Sequence, residues 1–301
     1  MKGISIDRSP LFQTGVLVAM MFVGFFIGQV IAVVIFISTS ADPFSSNLVI
    51  DPLAQPVWAI QATQFFTAVF TFLLPAGMTA WLCSNRPKAY LSIAAFPDMR
   101  IAGLVCVSTL LFSPTVSLTG YFNSQMQLPE SMAAIEEWIR SAEDIAEALM
   151  QKIVATKGVA AFVLNLFVIA IVAGVTEEFL FRGALLHIIR QTIKNHHVAI
   201  WIVAILFSAI HMQFYGFIPR MLLGAYFGYL IYWTKNIWVP VFAHFFHNTV
   251  AFIGMSSDSL KDNAFFADEI APDDILWFSA TTAICLIAFF YCLRFVRYKK
   301  P

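Results

Sequence analysis

Residues 158–182 read GVAAFVLNLFVIAIVAGVTEEFLFR, and this stretch decides what kind of protein the chain can be. From Gly158 to Ala173 the only polar side chain is Asn165, so the run is long and apolar enough to cross a bilayer as a helix. Two carboxylates and a guanidinium follow, Glu177, Glu178 and Arg182. Ionisable groups at such depth are costly unless they face a polar cavity and work, which makes this stretch the first candidate for a functional site. Glu178 and Arg182 lie four apart on one helical face and can pair, holding Glu178 charged. Glu177, about 100° around the helix, then points elsewhere. The plain alternative is a pair of acids that merely ends a span at the headgroup boundary.

The remainder of the 301 residues points the same way. Hydrophobic residues make up 59% of the chain, with 31 Phe and 12% charged residues, and the mean hydropathy is +0.78. This composition excludes a soluble domain and predicts an all-α, polytopic transmembrane helical bundle. The net charge is zero and no basic patch carries interleaved aromatics, so nucleic acid is not an expected partner. Cys83, Cys106, Cys285 and Cys292 sit in or beside apolar runs without a paired spacing, and read as small apolar fillers.

About eight segments are long enough to span: 11–38, 57–83, 101–121, 158–190, 197–213, 217–234, 237–255 and 274–296. Lys2 and Arg8 precede the first without a small-residue cleavage site, so it reads as a retained span rather than a signal peptide. Between the third and fourth, residues 129–152 place Ile135, Trp138, Ile139, Ile145, Ala148 and Leu149 at helical spacing among six acids. This is the pattern of an interfacial amphipathic helix, with Ser131 as a candidate cap. With no repeat or linker, residues 1–301 are expected to form a single integral membrane domain.

Loop charges orient the bundle. Lys2, Arg8, Arg86, Lys88, Arg100, Arg190, Lys194, Lys235, Arg294, Arg297, Lys299 and Lys300 fall on one side if the spans alternate. Asp42, Asp51, the acids of 130–147 and those of 258–274 fall on the other. The positive-inside rule puts both termini in the cytoplasm, and a compact chain of this kind suits a bacterial inner membrane. Glu177 then lies about 16 residues before the turn at 192–195 and His211 about 17 after it, which predicts similar heights in an antiparallel hairpin.

His211 follows Phe207 at four residues, and His244 precedes Asn248 at four. Each pair is expected to stack on one helix face. A single histidine on an apolar helix is most simply a packing residue, but two at matching depth beside two acids are a chemical set. A carboxylate and an imidazole sharing one water form a general-base pair. His244 and Asn248, donors one turn apart, can bind an oxyanion. No Gly-x-Ser-x-Gly elbow is present and no Cys neighbours a His, which argues against a serine or cysteine nucleophile. His247, three residues from His244, points near the same face and can join the network, though it reads first as a supporting or packing residue, and His187, His196 and His197 read as solvated or interfacial residues.

Glu177-Glu178-x-x-x-Arg182, Phe207-x-x-x-His211 and His244-x-x-x-Asn248, in this order on successive apolar helices, resemble the three motifs of the CPBP family. That family includes the type II CAAX prenyl endopeptidases and the Abi bacteriocin self-protection proteins. The resemblance makes 158–255 a catalytic motif core and implies an intramembrane endopeptidase. It implies Glu177 and His211 as water activators, Glu178 and Arg182 as their supporting ion pair, Phe207 as the residue shaping the cavity, and His244 with Asn248 as the oxyanion site. The expected partners are the bilayer and a membrane-anchored protein or peptide substrate.

Proteins of this kind are commonly labelled metalloproteases, and Glu177, His211 and His244 can offer three ligands to Zn2+. The His-Glu-x-x-His arrangement is absent, and Asn248 beside His244 suits an oxyanion better than zinc. A metal-free glutamate mechanism is therefore the preferred expectation. Two rivals stand beside the protease: a non-catalytic scaffold or bacteriocin-immunity protein that binds a partner, and a proton-coupled transporter. The transporter lacks support in repeated halves or matched broken spans.

Overall fold

The computed structural model describes residues 8–39, 51–257, 259–260 and 270–297. Its elements are helices, and no strand occurs among the described residues. Besides the short helix Pro87–Tyr90 and three 3-10 turns, the described elements are in chain order α1 (Pro10–Thr39), α2 (Val57–Cys83), α3 (Met99–Ser124), α4 (Ala133–Val154), α5 (Val159–Thr192), α6 (His196–Ala209), α7 (Phe217–Thr234), α8 (Trp238–Ser256) and α9 (Ile275–Arg297). Each of the eight segments expected as spans contains a helix, the fifth being helical only as far as Ala209. Among the described residues five are long and apolar enough to cross a membrane, namely α1, α2, α3, α5 and α9. Large apolar side chains also face outward, with Phe26 70% and Ile287 73% exposed. Such surfaces are stable against lipid and not against water, so the chain is an integral membrane protein. Of the charges used for orientation, Lys2, Asp42, Asp258, Asp262, Asp268, Glu269, Lys299 and Lys300 lie outside the described residues.

The helices form two compact units. The first comprises Met1–Leu91 with Asp144–Thr192, and the second Ser92–Glu143 with Ile193–Pro301. In the first unit α1 packs along α2 through Gly24, Gly28 and Ala32, all buried on one face. In lipid, helices associate by close packing rather than by expelling water, and small residues permit it. A Cβ at Gly24 would overlap the carbonyl oxygen of Phe70, and one at Gly28 would lie 3.1 Å from Cα of Thr67. Asn165, the single polar side chain of the apolar run, is buried and satisfied: Gln61 donates to its oxygen, and its amide donates to the Ile153 carbonyl at 3.0 Å.

The second unit is built on α3, against which α7, α8 and α9 pack, while α6 packs along α7. Its interior includes Phe112, Tyr226, Phe227 and Phe289. The buried Tyr226 hydroxyl is matched by Ser108 at 2.6 Å and Thr109 at 3.2 Å, so the polar tip adds no unsatisfied group.

The amphipathic helix is present as α4, with Ile135, Trp138 and Ile145 exposed. Ser131 lies inside the short 3-10 turn Glu130–Met132 that leads into it. The N-terminal part of α4 is tied down by polar contacts. Glu136 accepts two hydrogen bonds from Arg140, at 2.8 and 3.0 Å, one from the Tyr215 hydroxyl at 2.9 Å and one from Leu128 N–H at 3.0 Å. The Arg140 guanidinium lies 4.1 Å from the centre of the Tyr215 ring.

Two predictions follow from this packing. Gly24→Ala should destabilise the protein by about 1–3 kcal/mol through overpacking. Gly15→Ala, which meets nothing within 4 Å, should be neutral or slightly stabilising because alanine is the better helix former. Thermal melts in detergent separate the two, and equal losses would contradict the packing. The second concerns pH. Hydrogen bonds from Arg140, then from Tyr215 and Leu128, hold Glu136 below its ordinary value. A depressed carboxylate stabilises the fold above its unfolded pKa and loses that contribution as pH falls through the folded value. The protection of the Leu128 amide, its exchange rate taken relative to the intrinsic rate at each pH, should therefore be constant from neutral pH down to the ordinary glutamate range and fall below it, a dependence that Glu136→Gln should abolish.

Candidate active site

Glu177, Glu178 and Arg182 belong to the first unit, on α5. The helix is not uniform there, since π-helical turns run from Phe167 to Val172 and from Phe179 to Leu185. The short α-helical piece between them, Ala173–Glu178, carries both acids. A π turn adds a residue per turn and redirects side chains, and such turns concentrate at functional sites. Gly183 allows the second of them to approach Leu91, whose Cδ2 would lie 3.1 Å from a Cβ at that position.

The expected ion pair is formed. Arg182 Nη1 donates to Glu178 Oε1 at 2.8 Å, and neither side chain has any solvent exposure. Attraction in such an environment is strong and so is the cost of removing either partner. Glu177, the adjacent residue, is half-buried.

Phe207, His211, His244 and Asn248 belong to the second unit, which brings three of their rings together. The centre of the Phe207 ring is 5.2 Å from that of His211 and 6.1 Å from that of His244, edge-on to both. His244 is buried and stacks on Phe227 at 5.0 Å. Asn248 follows one turn later on α8 and is half-buried, as is His247.

One expectation needs correction. The fifth segment, expected at about 197–213 with Phe207 and His211 on one helix face, ends early: α6 stops at Ala209, and His211 lies in the turn beyond it. The reason is local. In a continuing helix the Phe207 carbonyl would take the His211 N–H; here that N–H goes to Ser208 O at 3.3 Å, and the imidazole Nδ1 takes Phe207 O at 2.8 Å. The side chain thus caps its own helix, and Met212 follows in left-handed conformation with φ of 54°. A carbonyl only accepts, so Nδ1 carries the proton, and in neutral His211 the basic lone pair is on Nε2.

The spacing of α7 also holds a signal that motif reading passed over. Gly224 and Gly228 are four apart, and Cβ atoms there would lie 3.0 Å from Phe207 Cδ1 and 2.7 Å from Ile200 Cγ2. This close approach seats Phe207 against α7, and the Gly-x-x-x-Gly pattern was readable in the sequence. His187, expected as a solvated or interfacial residue, is half-buried with its ring 4.0 Å from that of Tyr90. His196 stacks on Tyr232, while His197 is exposed and pairs with the Tyr229 hydroxyl at 2.6 Å. The four cysteines are free. Within neither unit, among the described residues, are three His, Cys, Asp or Glu side chains grouped to hold a metal ion.

The ion pair makes a direct prediction. Arg182→Met, which leaves Glu178 buried without its cation, should cost about 3–5 kcal/mol. Adding Glu178→Gln should recover most of that loss. Unfolding in detergent reads both, and a neutral Arg182→Met would contradict the burial.

Residues 159–250 match the family described as Type II CAAX prenyl endopeptidase Rce1-like. The match covers about a third of the chain and takes in every residue of the three motifs. No curated protein and no solved structure matches the chain. The stretch that carries Glu177, Glu178, Arg182, Phe207, His211, His244 and Asn248 is thus that of the CPBP/CAAX protease family.

Proposed function

We propose that this chain is an intramembrane endopeptidase that hydrolyses a peptide bond of a membrane-associated protein or peptide near the cytoplasmic face. The observation that carries the reading is the fully buried Glu178–Arg182 pair beside Glu177, within a segment matching a peptidase family. A charge pair is retained in an apolar helix where the neighbouring carboxylate has work to do.

In this reading Glu177 accepts a proton from water, and His211, with Nδ1–H committed to the Phe207 carbonyl, presents Nε2 to the same water. The hydroxide so formed attacks the scissile carbonyl. His244 and Asn248 donate hydrogen bonds to the developing oxyanion, where a water-poor setting makes them count for more than in bulk solvent. The proton then passes to the leaving amine. Glu178 and Arg182 hold Glu177 in place without touching the reacting atoms, and the Phe207 ring fixes the spacing of the two imidazoles. Both termini lie in the cytoplasm of a bacterial cell in this account.

Zn2+ is the competing electrophile. His211 Nε2 has the lone pair a ligand needs, and His244 and Glu177 are chemically suited to join it, where the ion would polarise the carbonyl and acidify water. The metal-free route is the one proposed, because an amide at Asn248 beside His244 fits an oxyanion better than a cation.

The test uses purified protein in lipid nanodiscs with a library of membrane-anchored peptides, with and without a strong chelator. Wild type should cleave, and Glu177→Gln should lose about 10²–10⁴-fold in rate. Asn248→Ala should lose about 10²–10³-fold in kcat with KM little changed. Chelator should leave the wild-type rate unchanged. Full activity in Glu177→Gln would overturn the proposal, chelator sensitivity would transfer the electrophile's role to a metal, and partner binding without cleavage would favour a scaffold.

A further inference from the structure

His211 lies on the connection 210–216, where helical and turn hydrogen bonds back to α6 end with Met212 N–H to Ala209 O, and the backbone beyond must be held by something else. Three side chains of the second unit hold it. The amide of Asn123, on α3, is 1% exposed and engages backbone on both of its ends: Nδ2 donates to Phe214 O at 2.9 Å, and Oδ1 accepts Ile218 N–H at 2.8 Å. Glu143, on α4, accepts Phe214 N–H at 2.6 Å and Tyr215 N–H at 3.1 Å through one carboxylate oxygen. The Ser208 hydroxyl donates to Phe217 O at 2.7 Å. Both polar groups of Phe214's main chain are therefore taken by residues from α3 and α4, three residues after His211.

We propose that Asn123, supported by Glu143, is a positioning residue for His211, so that a segment outside the matched region sets the geometry of the water-activating imidazole. Asparagine fits the place because only an amide offers a donor and an acceptor in fixed relation at neutral charge. An alanine would leave the Phe214 carbonyl with only its bond from Phe217 N–H at 3.2 Å and would free the Ile218 N–H at the start of α7, and an ionised aspartate would face the Phe214 carbonyl with a second acceptor. Glu143 acts on the same peptide from the other side, its charge strengthening both bonds. The inference rests on the endopeptidase reading for its kinetic consequence but not for its structural one.

The experiment has two arms on the full-length protein in nanodiscs. The first records ¹⁵N histidine spectra, with His211 assigned by its absence in His211→Ala. Wild type should show His211 as the Nδ1–H form. Asn123→Ala should move it toward the Nε2–H form that an unconstrained imidazole prefers, while His244 keeps its wild-type signals. The second arm measures cleavage. Asn123→Ala should lower kcat by about 10–100-fold, the size of effect expected from a small misplacement of a reacting group, with KM within about twofold. Should Asn123→Ala fail to fold, Glu143→Ala, at a half-buried position, should move both readouts in the same direction, with about 10-fold lower kcat.

Unchanged His211 signals and kcat in a folded Asn123→Ala would overturn the proposal, as would a raised KM with kcat intact. If wild type cleaves nothing yet Asn123→Ala still shifts the His211 signals, positioning stands and the endopeptidase reading falls.

Discussion

A carboxylate and a guanidinium with no access to water, Glu178 and Arg182, impose the main constraint on this structure. Charges of that kind survive in an apolar helix only as a pair, and the pair must be held at hydrogen-bond distance by the helix that carries it. The π turns on either side of Ala173–Glu178 and the glycine that admits Leu91 shape that helix around it. Glu177 inherits its position from the same frame. Under the proposed endopeptidase reading, a neighbour held in this way loses little freedom on meeting a substrate, which is how preorganisation would let Glu177 act as a base.

The second unit solves a different problem, the placing of two imidazoles in a largely aromatic surrounding. The Phe207 ring lies roughly perpendicular to both histidine rings and its carbonyl accepts from His211, so one residue bears on spacing and tautomer together. Its own place depends on the close approach of α7 at Gly224, where any side chain would press on the ring. The hydrogen bond that Asn123 donates to Phe214 O and the one that Glu143 accepts from Phe214 N–H continue this dependence beyond the motif segment. Helices that the family match leaves out thus contribute to the surroundings of residues inside it.

How much of this could be read from the sequence follows from the range of each interaction. Helices were legible because apolar runs of this length leave few alternatives. Pairing of Glu178 with Arg182 was legible because four residues on a helix bring side chains together whatever surrounds them. The end of α6 was not, because a histidine that caps its own helix looks in sequence like one that continues it. Nor were the π turns in α5, which keep the composition of an α-helix while shifting its register. Asn123 carried no signal at all, since its partners at Phe214 and Ile218 lie about 90 residues away and are backbone groups that any sequence would supply.

The proposed mechanism assigns Glu177 and His211 to one water. A double-mutant cycle measures this most directly, using Glu177→Gln, His211→Ala and the two combined in the cleavage reaction. Residues acting as a unit are strongly non-additive, so the combined variant should lose no more in kcat than the more damaging single change. Losses that multiply would mean the two residues act in separate steps and would contradict the account.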